Sequence, residues 1–440
     1  MQKRIWENLS SFYLIGIGGV SMSGLAKFLL AKGKTVAGSD ACAGDYTAEL
    51  IKSGIKVSVG NVSESIAAYD AVIYTDAIRE DNRQLAEAKS LKKTIFSRGQ
   101  FLYEVSRTFK TVVAVSGCHG KTTCTAMLAH IFSAANKQFC AHIGGRDKTF
   151  SNTYYCGNSY FLTEACEYKK NFLLLKPDIG VVLNSDADHL ECYGNKENLT
   201  AAYRQFLSGA GVSVAPFGDK VAGGITFGYS KNADYHAKNV KSIGGFYSFT
   251  ACEGASELGS IKLSVYGKHN VLNALAAIAV ARSAGIPFNL AKEGITAFSG
   301  VERRFEIIGT VNGAPVIADY AHHPNELRAT IKTAKKLTSG RLFVVFQPHT
   351  YSRTKNLFKD FVKALSPLNN LLIYRTFAAR EYFDDAGSAL TLSQSLKKSK
   401  YADDPLSLSD YFSLAKQGDT VLVLGAGDIY DIAKSVLKTI

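Results

Sequence analysis

The sequence predicts an α/β protein with three domains, each built on a mostly parallel β-sheet. Two observations support this prediction: short apolar runs typical of buried strands recur along the chain, and glycine turns and helix-like segments follow them. The 440 residues are enough for roughly two to four hydrophobic cores at ordinary domain sizes. Apolar residues make up 46% and charged residues 20% of the chain, which is typical of globular proteins. The predicted domains span residues 1–107, 108–300 and 301–440.

The first domain opens with a strand, a glycine turn and a helix. The stretch FYLIGIGGVSMSGLAKFLL, Phe12–Leu30, begins apolar, turns through glycines, and then places Met22, Leu25 and Leu29 at helical spacing. A second strand follows, so that the two strands and the helix form a βαβ unit. This second strand is predicted at Thr35–Gly38, and two more strands of the domain are predicted at Ala71–Tyr74 and Thr94–Phe96.

The glycines of this first turn suggest a nucleotide-binding loop. Gly16 and Gly18 would let the backbone approach a pyrophosphate that rests on the helix N-terminus. A dinucleotide-binding fingerprint has a further glycine where this chain has Ser21, and Asp40 at the end of the second strand could meet a ribose. A ligand site and a plain tight turn are both open at this point. A nucleotide-dependent dehydrogenase is therefore one function to consider.

The second domain opens with VSGCHGKTTCT, which follows an apolar strand and resembles a phosphate-binding P-loop. The usual pattern has a glycine where this chain has Val115. Gly117 and Gly120 would form a shortened cradle whose N–H groups face phosphate oxygens, with Lys121 as the positive charge. Thr122 would hold Mg²⁺. The alternative is a strand–turn–helix junction with a chance lysine, but strand, glycines, Lys, Thr and amphipathic helix all occur in the required order.

Acidic and imidazole side chains follow two further strands of this domain. Glu164 stands at the end of one strand, and Asp186, Asp188 and His189 follow the other. At the carboxyl edge of a sheet that carries a phosphate loop, such groups are placed to bind Mg²⁺ or to orient phosphate. Each alone could equally be a surface acid or a helix cap. The two strands are predicted at Tyr160–Thr163 and Ile179–Leu183.

A helix near the end of the second domain could bind an adenine ring. The stretch YGKHNVLNALAAIAVA places Asn270 and Asn273 near one face, with His269 at the helix start. A planar imidazole and two amides could stack on adenine and bond its edge. A capped, alanine-rich core helix accounts for the same pattern, so spacing alone leaves both interpretations open.

The third domain is predicted from a further set of short apolar runs, and it begins after SGVERRFE, Ser299–Glu306. Buried parallel strands read as such runs because both faces of the sheet are covered. The strands predicted here are Val316–Ala318, Leu342–Phe346, Leu371–Tyr374 and Val421–Leu424.

Charge and cysteine content narrow the function classes. The net charge of +13 suits an anionic ligand, but the basic residues are spread along the chain without a nucleic-acid reading motif, so we expect no nucleic-acid partner. The eight cysteines show no metal-binding spacing and predict reduced thiols in a cytoplasmic protein. No apolar run is long enough to span a membrane, so we expect no membrane insertion. We expect a monomer or a weak homodimer.

Seven motifs, in order, closely resemble the Mur ligase family of peptidoglycan precursor synthesis: GCHGKTT, EACEYKKNF, DADH, GKHNVLNALAA, GVERRFE, DYAHHPNE and QPHTYSRT. The resemblance covers nearly the whole chain. It implies an N-terminal Rossmann-like domain for a UDP sugar, a central P-loop ATPase with a mostly parallel sheet, and a C-terminal Rossmann-like domain that closes over nucleotide and amino acid.

Within the family, the motifs are most similar to the enzymes that join L-alanine to UDP-N-acetylmuramic acid. The resemblance implies that ATP and Mg²⁺ are required. It also implies that the lactyl carboxylate attacks the γ-phosphate of ATP, and that the amine of L-alanine then attacks the acyl phosphate. The same two-step logic is expected chemically, since a carboxylate is a poor electrophile until it is converted to a mixed anhydride.

The resemblance also implies roles for individual residues. The ATP-binding residues would be Gly117, Cys118, His119, Gly120, Lys121, Thr122, Thr123, His269, Asn270, Asn273, Arg304 and Asp319. The UDP-sugar-binding residues would be Gly16, Gly18, Gly19, Ser21, Ser39 and Asp40. Substrate contacts would come from His322, His349 and Arg380. The metal ligands would be Thr122, Glu164 and His189. The catalytic residues would be Lys121, Glu164, His189, His323 and Arg353.

Three departures from the family pattern bear on these roles. Ser21 replaces the glycine that is usual in the UDP-sugar loop. Ligases that add later residues carry a modified lysine after the Asp-His segment, and its absence from LTAAYRQFLSG, Leu199–Gly209, agrees with an alanine-adding enzyme. The segment YRTFAARE has Phe377 where the family often has tyrosine, three residues before Arg380. The nearest alternative function is the recycling ligase that joins a whole tripeptide to the same UDP sugar, and the dehydrogenase is an alternative of a different class.

Overall fold

The computed structural model describes residues 5–60, 65–78, 81–186, 190–221, 223–379 and 381–440. The chain forms two compact units. One comprises Met1–Lys241 and Ser248–Ser299, and the other comprises Ser242–Tyr247 and Gly300–Ile440. The first unit contains two sheets and the second unit is built on a third, so the predicted α/β class with mostly parallel sheets is confirmed.

The first sheet belongs to the N-terminal part of the first unit. Its strands are β1 Ser11–Ile15, β2 Thr35–Asp40, β3 Lys56–Val59, β4 Ala71–Tyr74 and β5 Thr94–Ser97. Its helices are α1 Val20–Ala31, α2 Asp45–Lys52, α3 Arg83–Ser90 and α4 Arg98–Ser106, and a short 3₁₀ helix covers Ile5–Asn8.

These strands are parallel and lie in the order β3-β2-β1-β4-β5. The chain winds outward from β1 on one side to β2 and on the other side to β4. The carboxyl ends of β1 and β4 therefore form the topological switch point, which is where open α/β sheets bind ligands. The strand predicted at Ala71–Tyr74 has those bounds in the structure.

The second sheet carries the phosphate-loop sequence. Its strands are β6 Thr111–Ser116, β7 Phe139–Asp147, β8 Ser151–Tyr155, β9 Tyr160–Glu164, β10 Ile179–Val182, β11 Val212–Pro216, β12 Ile225–Gly228, β13 Tyr235–Ile243, β14 Phe246–Glu253 and β15 Ser256–Tyr266. The helices are α5 Lys121–Ala134, α6 Leu190–Tyr193, α7 Lys196–Ser208, α8 His269–Ser283 and α9 Phe288–Ala297, with a 3₁₀ segment at Tyr168–Leu174.

The strand order is β15-β14-β13-β12-β11-β10-β6-β9-β7-β8. β6 is flanked by β10 and β9, and both pairings are parallel. The β7–β8 hairpin and the strands from β11 to β15 were not predicted from the sequence. In β15, SELGSIKLSVY, buried and exposed residues alternate near Ile261 and Leu263, so this strand lacks the continuous apolar run on which the strand predictions rested.

The third sheet forms the core of the second unit. Its strands are β16 Glu306–Val311, β17 Ala314–Asp319, β18 Leu342–Phe346, β19 Asn370–Tyr374, β20 Ser399–Ala402 and β21 Thr420–Leu424. The helices are α10 Pro324–Leu337, α11 Tyr351–Asn356, α12 Phe358–Leu365, α13 Ala389–Gln394, α14 Pro405–Ser413 and α15 Ile429–Val436, with a 3₁₀ turn at Asp385–Gly387.

The order of the third sheet is β16-β17-β21-β18-β19-β20, and β16 is antiparallel to its neighbour whereas the other pairs are parallel. The strand predicted at Leu342–Phe346 has those bounds. The carboxyl ends of β17, β21 and β18 lie side by side, so the loops that follow them share one edge of the sheet. No helix in the described part of the chain combines the length and apolarity that a membrane span requires.

Within the first unit, α1 packs against the β7–β8 hairpin through a buried polar junction. The amide nitrogen of Asn152 donates to the carbonyl oxygen of Val20 at 2.6 Å and to the hydroxyl of Ser23 at 2.9 Å. Its oxygen accepts from the Lys27 ammonium at 2.8 Å, and that ammonium also pairs with Glu49 at 2.9 Å. Asn152 is fully buried. The junction therefore fixes the first helix, and with it the glycine loop, on the second sheet.

We expect Asn152→Ala to lower the free energy of unfolding of the first unit by about 1–3 kcal/mol, because the Val20 carbonyl, the Ser23 hydroxyl and the Lys27 ammonium each lose a hydrogen bond at a buried position. Urea denaturation measures this change. The matched control is Asn232→Ala at an exposed position of the same unit, which is expected to change the free energy by less than about 0.5 kcal/mol. Equal effects of the two substitutions would contradict the role of the junction.

Candidate active site

The loop between β6 and α5 has the backbone geometry of a phosphate cradle. Gly117 and Gly120 adopt φ angles of 123° and 86°, which side-chain-bearing residues rarely adopt. A Cβ atom on Gly117 would lie 3.0 Å from the backbone nitrogen of Leu183, and one on Gly120 would lie 2.5 Å from the side-chain oxygen of Asn273. Space and conformation therefore both require glycine at these two positions.

The Lys121 side chain folds back over this loop. Its Nζ atom donates to the carbonyl oxygens of Gly117 at 2.6 Å and Cys118 at 3.2 Å, and it lies 3.0 Å from both carboxylate oxygens of Glu167. Burial opposes the charge of Lys121, but the Glu167 carboxylate raises the lysine pKa above its ordinary value. Lys121 is therefore a protonated, positioned ammonium group at the loop.

Glu167 is a residue that the sequence analysis did not single out. Its side chain is 1% exposed and forms an ion pair with Lys121. It belongs to the quoted segment EACEYKKNF, whose Glu164 was predicted to bind metal. The signal that could have found it is a second carboxylate three residues after Glu164, beyond the same strand end.

The remaining side chains of the loop are held by the turn after β10. The backbone N–H of His119 donates to the Asn184 side chain at 3.1 Å, and the Asn184 amide donates back to the His119 carbonyl at 2.9 Å. The His119 ring lies 3.2 Å from the Cys118 sulfur and 3.6 Å from a carboxylate oxygen of Asp186. The ends of β6 and β10 therefore form one connected structure around the loop.

The predicted metal residues lie in part at this edge. Glu164 pairs in register with Val115 at the end of β6, and Thr122 is buried in the first turn of α5. The Glu164 carboxylate accepts the backbone N–H of Gly144 at 2.5 Å. His189 lies outside the described residues. Within the described ranges no three His, Cys, Asp or Glu side chains cluster as a metal site.

The donor types present at this edge nevertheless fit Mg²⁺. The ion is usually held by one or two carboxylates together with substrate phosphates and water, rather than by a cage made entirely of protein ligands. Glu164 offers a carboxylate at the end of β9, and Thr122 offers a hydroxyl group in the helix that follows β6, the strand paired with β9.

The helix predicted to bind adenine begins beside the phosphate loop. The amide nitrogen of Asn270 donates to the Tyr266 carbonyl at 2.7 Å, and that of Asn273 donates to the Asn270 side-chain oxygen at 2.9 Å. Both asparagines are 5% exposed, whereas His269 is exposed at the helix start. Through the contact of Asn273 with Gly120, the structure brings the start of α8 to the loop.

A cleft of about 690 Å³ opens at the switch point of the first sheet. Gly16, Gly18, Gly19, Ser39 and Asp40 line it, as do Thr75, Asn82 and Arg83, which the sequence analysis missed. The Asp40 carboxylate accepts the backbone N–H of Gly18 at 2.8 Å, so the carboxylate contacts the glycine loop directly.

Two residues predicted to bind the UDP sugar have other partners. The Ser39 hydroxyl donates to the Gln84 side chain at 2.6 Å, and Gln84 in turn donates to the Tyr13 hydroxyl at 2.8 Å. Ser21 does not line the cleft, and its hydroxyl lies 2.8 Å from Nε2 of His142 on β7. Burial lowers the pKa of His142 to about 3, so this imidazole is neutral. Ser21 therefore connects α1 to the second sheet.

In the second unit, Asp319 ends β17 and organises the loops beside it. Its two carboxylate oxygens accept the backbone N–H groups of Phe305 at 2.8 Å and Ala321 at 2.9 Å. Burial raises the pKa of Asp319 to about 6, and the nearby Arg304 acts in the opposite direction. The Arg304 guanidinium lies 5.0 Å from the ring centroid of Tyr320. The predicted ATP-binding pair Arg304 and Asp319 is thus close together.

Three of the other predicted residues of this unit form a cluster. The rings of His322 and His349 have centroids 5.9 Å apart, and an Arg353 guanidinium nitrogen lies 3.0 Å from Nδ1 of His349. Phe377 stacks on His349 at 5.6 Å with an interplanar angle of 21°. The phenylalanine that departs from the family pattern therefore supports this histidine.

His323 and Arg380 do not extend that cluster. His323 is 5% exposed and caps the N-terminus of α10, where its Nδ1 accepts the backbone N–H of Asn325 at 3.3 Å. His323, which was predicted to be catalytic, therefore forms a helix-capping contact in this structure. Arg380 lies outside the described residues.

Comparison with known proteins decides the family. Residues 11–110 match the model described as the Mur ligase family, catalytic domain, residues 115–281 match the Mur ligase middle domain, and residues 303–427 match the Mur ligase, glutamate ligase domain. The chain is 40% identical to the UDP-N-acetylmuramate--L-alanine ligase of Clostridium acetobutylicum, over 97% of each chain. The chain belongs to the Mur ligase family. It therefore has the three domains predicted for this family.

Solved Mur ligase structures agree in fold. The chain is similar to the UDP-N-acetylmuramate-alanine ligase of Thermotoga maritima, with a TM-score of 0.85, 29% identity and coverage of 98% of each chain. The murein peptide ligase of Psychrobacter arcticus gives a TM-score of 0.76 at 23% identity, again with coverage of 98% of each chain, and this similarity concerns the fold alone. The comparisons thus favour the alanine-adding Mur ligases over the recycling ligase and the dehydrogenase.

The raised pKa of Asp319 makes the stability of this Mur ligase depend on pH. With a folded pKa of about 6 and an unfolded pKa of about 3.9, Asp319 binds its proton more tightly in the folded chain. The contribution of Asp319 to stability is therefore fully present below about pH 4 and is lost as the pH rises through about 6.

We compare the free energy of unfolding of the wild type with that of Asp319→Asn. The wild-type value minus the variant value is expected to decrease as the pH is raised from about 4.5 to about 7. Urea denaturation of both proteins at the two pH values measures this difference, in which the other titrating groups largely cancel. A difference that stays constant or rises would show that Asp319 does not have a raised pKa.

Proposed function

We propose that this Mur ligase uses ATP to join L-alanine to the lactyl carboxylate of UDP-N-acetylmuramic acid in peptidoglycan precursor synthesis, releasing ADP and phosphate. The observation that carries the proposal is the 40% identity to an L-alanine ligase over 97% of both chains. The phosphate loop and the cleft of the first sheet support it, because ATP and the sugar nucleotide would each have a site of their own.

In this proposal the phosphate loop activates the sugar carboxylate. The loop N–H groups and the Lys121 ammonium would bind the β- and γ-phosphates, with Cys118, His119 and Thr123 contributing to the loop. The γ-phosphoryl group is then transferred to the lactyl carboxylate. The acyl phosphate is attacked by the amine of L-alanine, and phosphate leaves.

Mg²⁺ would be held by Thr122, Glu164 and His189. A bound Mg²⁺ ion offsets the negative charge of the transferring phosphoryl group. Lys121 adds a fixed positive charge, since Glu167 keeps the lysine protonated. Holding Glu164 through the Gly144 N–H orients its carboxylate before any ligand arrives.

The two nucleotides would occupy different parts of the chain. For ATP, His269, Asn270 and Asn273 would hold the adenine, Arg304 the phosphates and Asp319 the ribose. For the UDP sugar, the contacts would come from Gly16, Gly18, Gly19 and Asp40, with Arg83 as a further cation in the same cleft. Ser21 and Ser39 would act indirectly, through His142 and Gln84.

The amino acid would be handled by the second unit. His322, His349, Arg353 and Arg380 would place L-alanine or the acyl phosphate, and His323 would hold the start of α10 beside them. Domain boundaries at 107/108 and 300/301, a cytoplasmic location and a monomer or weak homodimer complete the proposal. All eight cysteines are free thiols, which suits the cytoplasm.

Phosphate release from ATP tests this function. With UDP-N-acetylmuramic acid present, we expect L-alanine to support turnover, and glycine to be used roughly 10–200-fold less efficiently, because a methyl group in a pocket is worth about 1–3 kcal/mol. L-serine and the tripeptide L-Ala-γ-D-Glu-meso-diaminopimelate are tested in parallel. Turnover with the tripeptide but not with L-alanine would overturn the proposal in favour of the recycling ligase.

Lys121→Ala tests the role of the phosphate loop in the reaction. Removing this ammonium is expected to lower kcat at least about 100-fold, since it is the only phosphate-facing charge assigned to the loop itself. NAD(H) added in place of ATP should give no reaction. Retained activity in Lys121→Ala would place ATP elsewhere.

A further inference from the structure

The carboxylate of Glu167 lies in an unexpected place for a residue of an ATP site. It is 1% exposed and contacts the lysine of the phosphate loop through both oxygens at 3.0 Å. A buried carboxylate without a partner is costly, and close to a triphosphate it would also repel the ligand. Such a group would weaken ATP binding unless its charge acts through Lys121.

The backbone on both sides of Glu167 is firmly held. The Tyr193 hydroxyl donates to the Glu167 carbonyl at 2.6 Å, and Tyr193 is buried. Just upstream, Ala165 donates its N–H to Val115 at 2.8 Å and accepts the Ser116 hydroxyl at 2.8 Å. The last residues of β6, from which the phosphate loop departs, therefore anchor the segment that carries this carboxylate.

Downstream of Glu167, the chain turns through an unusual conformation. Lys169 and Lys170 have φ angles of 52° and 60°, so two consecutive non-glycine residues lie in the left-handed region. The N–H of Lys170 donates to the Glu167 carbonyl at 3.0 Å. This turn and the Tyr193 contact fix the main chain from which the carboxylate projects.

The hydrogen-bond geometry of Lys121 suggests what the carboxylate does. An ammonium group has three N–H donors, and here they face the Gly117 carbonyl, the Cys118 carbonyl and Glu167. The Cys118 contact is the longest, at 3.2 Å. Exchanging that one contact for a phosphate oxygen would leave the ammonium held at the other two.

We propose that Glu167 is a positioning residue that holds the Lys121 ammonium over the loop, so that a bound phosphate replaces the Cys118 carbonyl while Glu167 and Gly117 keep the lysine in place. This inference rests on the proposed function, in which Lys121 stabilises phosphoryl transfer. Glu167 touches neither substrate nor reacting atoms in this account and acts through Lys121 alone.

The first test is Glu167→Gln, which removes the charge and keeps the shape. We expect kcat to fall roughly 10–100-fold, because a misplaced charge stabilises the transition state poorly, while the KM values for UDP-N-acetylmuramic acid and L-alanine stay within about 2-fold. The control is Glu293→Gln, at an exposed position of α9, which should leave kcat unchanged. An unchanged kcat in Glu167→Gln would overturn the proposal.

The decisive test repeats this substitution in the Lys121→Ala background and measures the binding of a non-hydrolysable ATP analogue by calorimetry. Without Lys121 the Glu167 carboxylate faces the phosphates uncompensated, so Glu167→Gln should tighten binding by at least about 3-fold. A merely structural role predicts weaker binding in both backgrounds, and this result would overturn the proposal. The binding measurement needs neither sugar nor amino acid, so it stays readable even if the alanine ligase function is wrong.

Tyr193→Phe provides a second route if Glu167→Gln does not fold. It removes the hydroxyl that holds the Glu167 carbonyl and leaves both charges in place. We expect kcat to fall by about 2–10-fold with the KM for UDP-N-acetylmuramic acid unchanged. A rise in that KM at constant kcat would indicate an effect on the sugar site and would contradict the proposal.

Discussion

One ion pair, between Lys121 and the buried Glu167 carboxylate, holds the lysine side chain at the phosphate loop. Lys121 is on the first turn of α5 and Glu167 follows β9, so the pair ties together two elements that meet at the carboxyl edge of the second sheet. The loop beside this pair turns through Gly117 and Gly120, which both have positive φ angles. The start of α8, the turn after β10 and the Glu164 carboxylate all lie at the same edge around this loop.

A second set of contacts connects that loop to the cleft of the first sheet. In β7, the His142 ring contacts the Ser21 hydroxyl of α1. Two residues later in the same strand, the Gly144 N–H donates to the Glu164 carboxylate. β7 therefore contacts both α1, which follows the glycine loop of the first sheet, and the carboxylate proposed to bind Mg²⁺. In the proposed reaction these two places must meet, since the sugar carboxylate receives the γ-phosphoryl group.

The sequence predicts much of this arrangement because its signals are local. The buried parallel strands read as continuous apolar runs, and the strands at Ala71–Tyr74 and Leu342–Phe346 were predicted with their observed bounds. Tertiary contacts carry no such local signal. The Glu167 partner of Lys121, 46 residues away, and the His142 partner of Ser21, 121 residues away, became visible only when the strands were assembled. β15 was missed for a different reason, since its buried and exposed residues alternate.

The central claim is that ATP activates the sugar carboxylate, and isotope transfer tests it most directly. UDP-N-acetylmuramic acid labelled with ¹⁸O in the lactyl carboxylate is incubated with the enzyme, ATP and L-alanine, and the released phosphate is analysed by mass spectrometry. If the carboxylate attacks the γ-phosphate, an ¹⁸O atom from the carboxylate appears in the phosphate. Unlabelled phosphate accompanying amide formation would contradict the acyl-phosphate account.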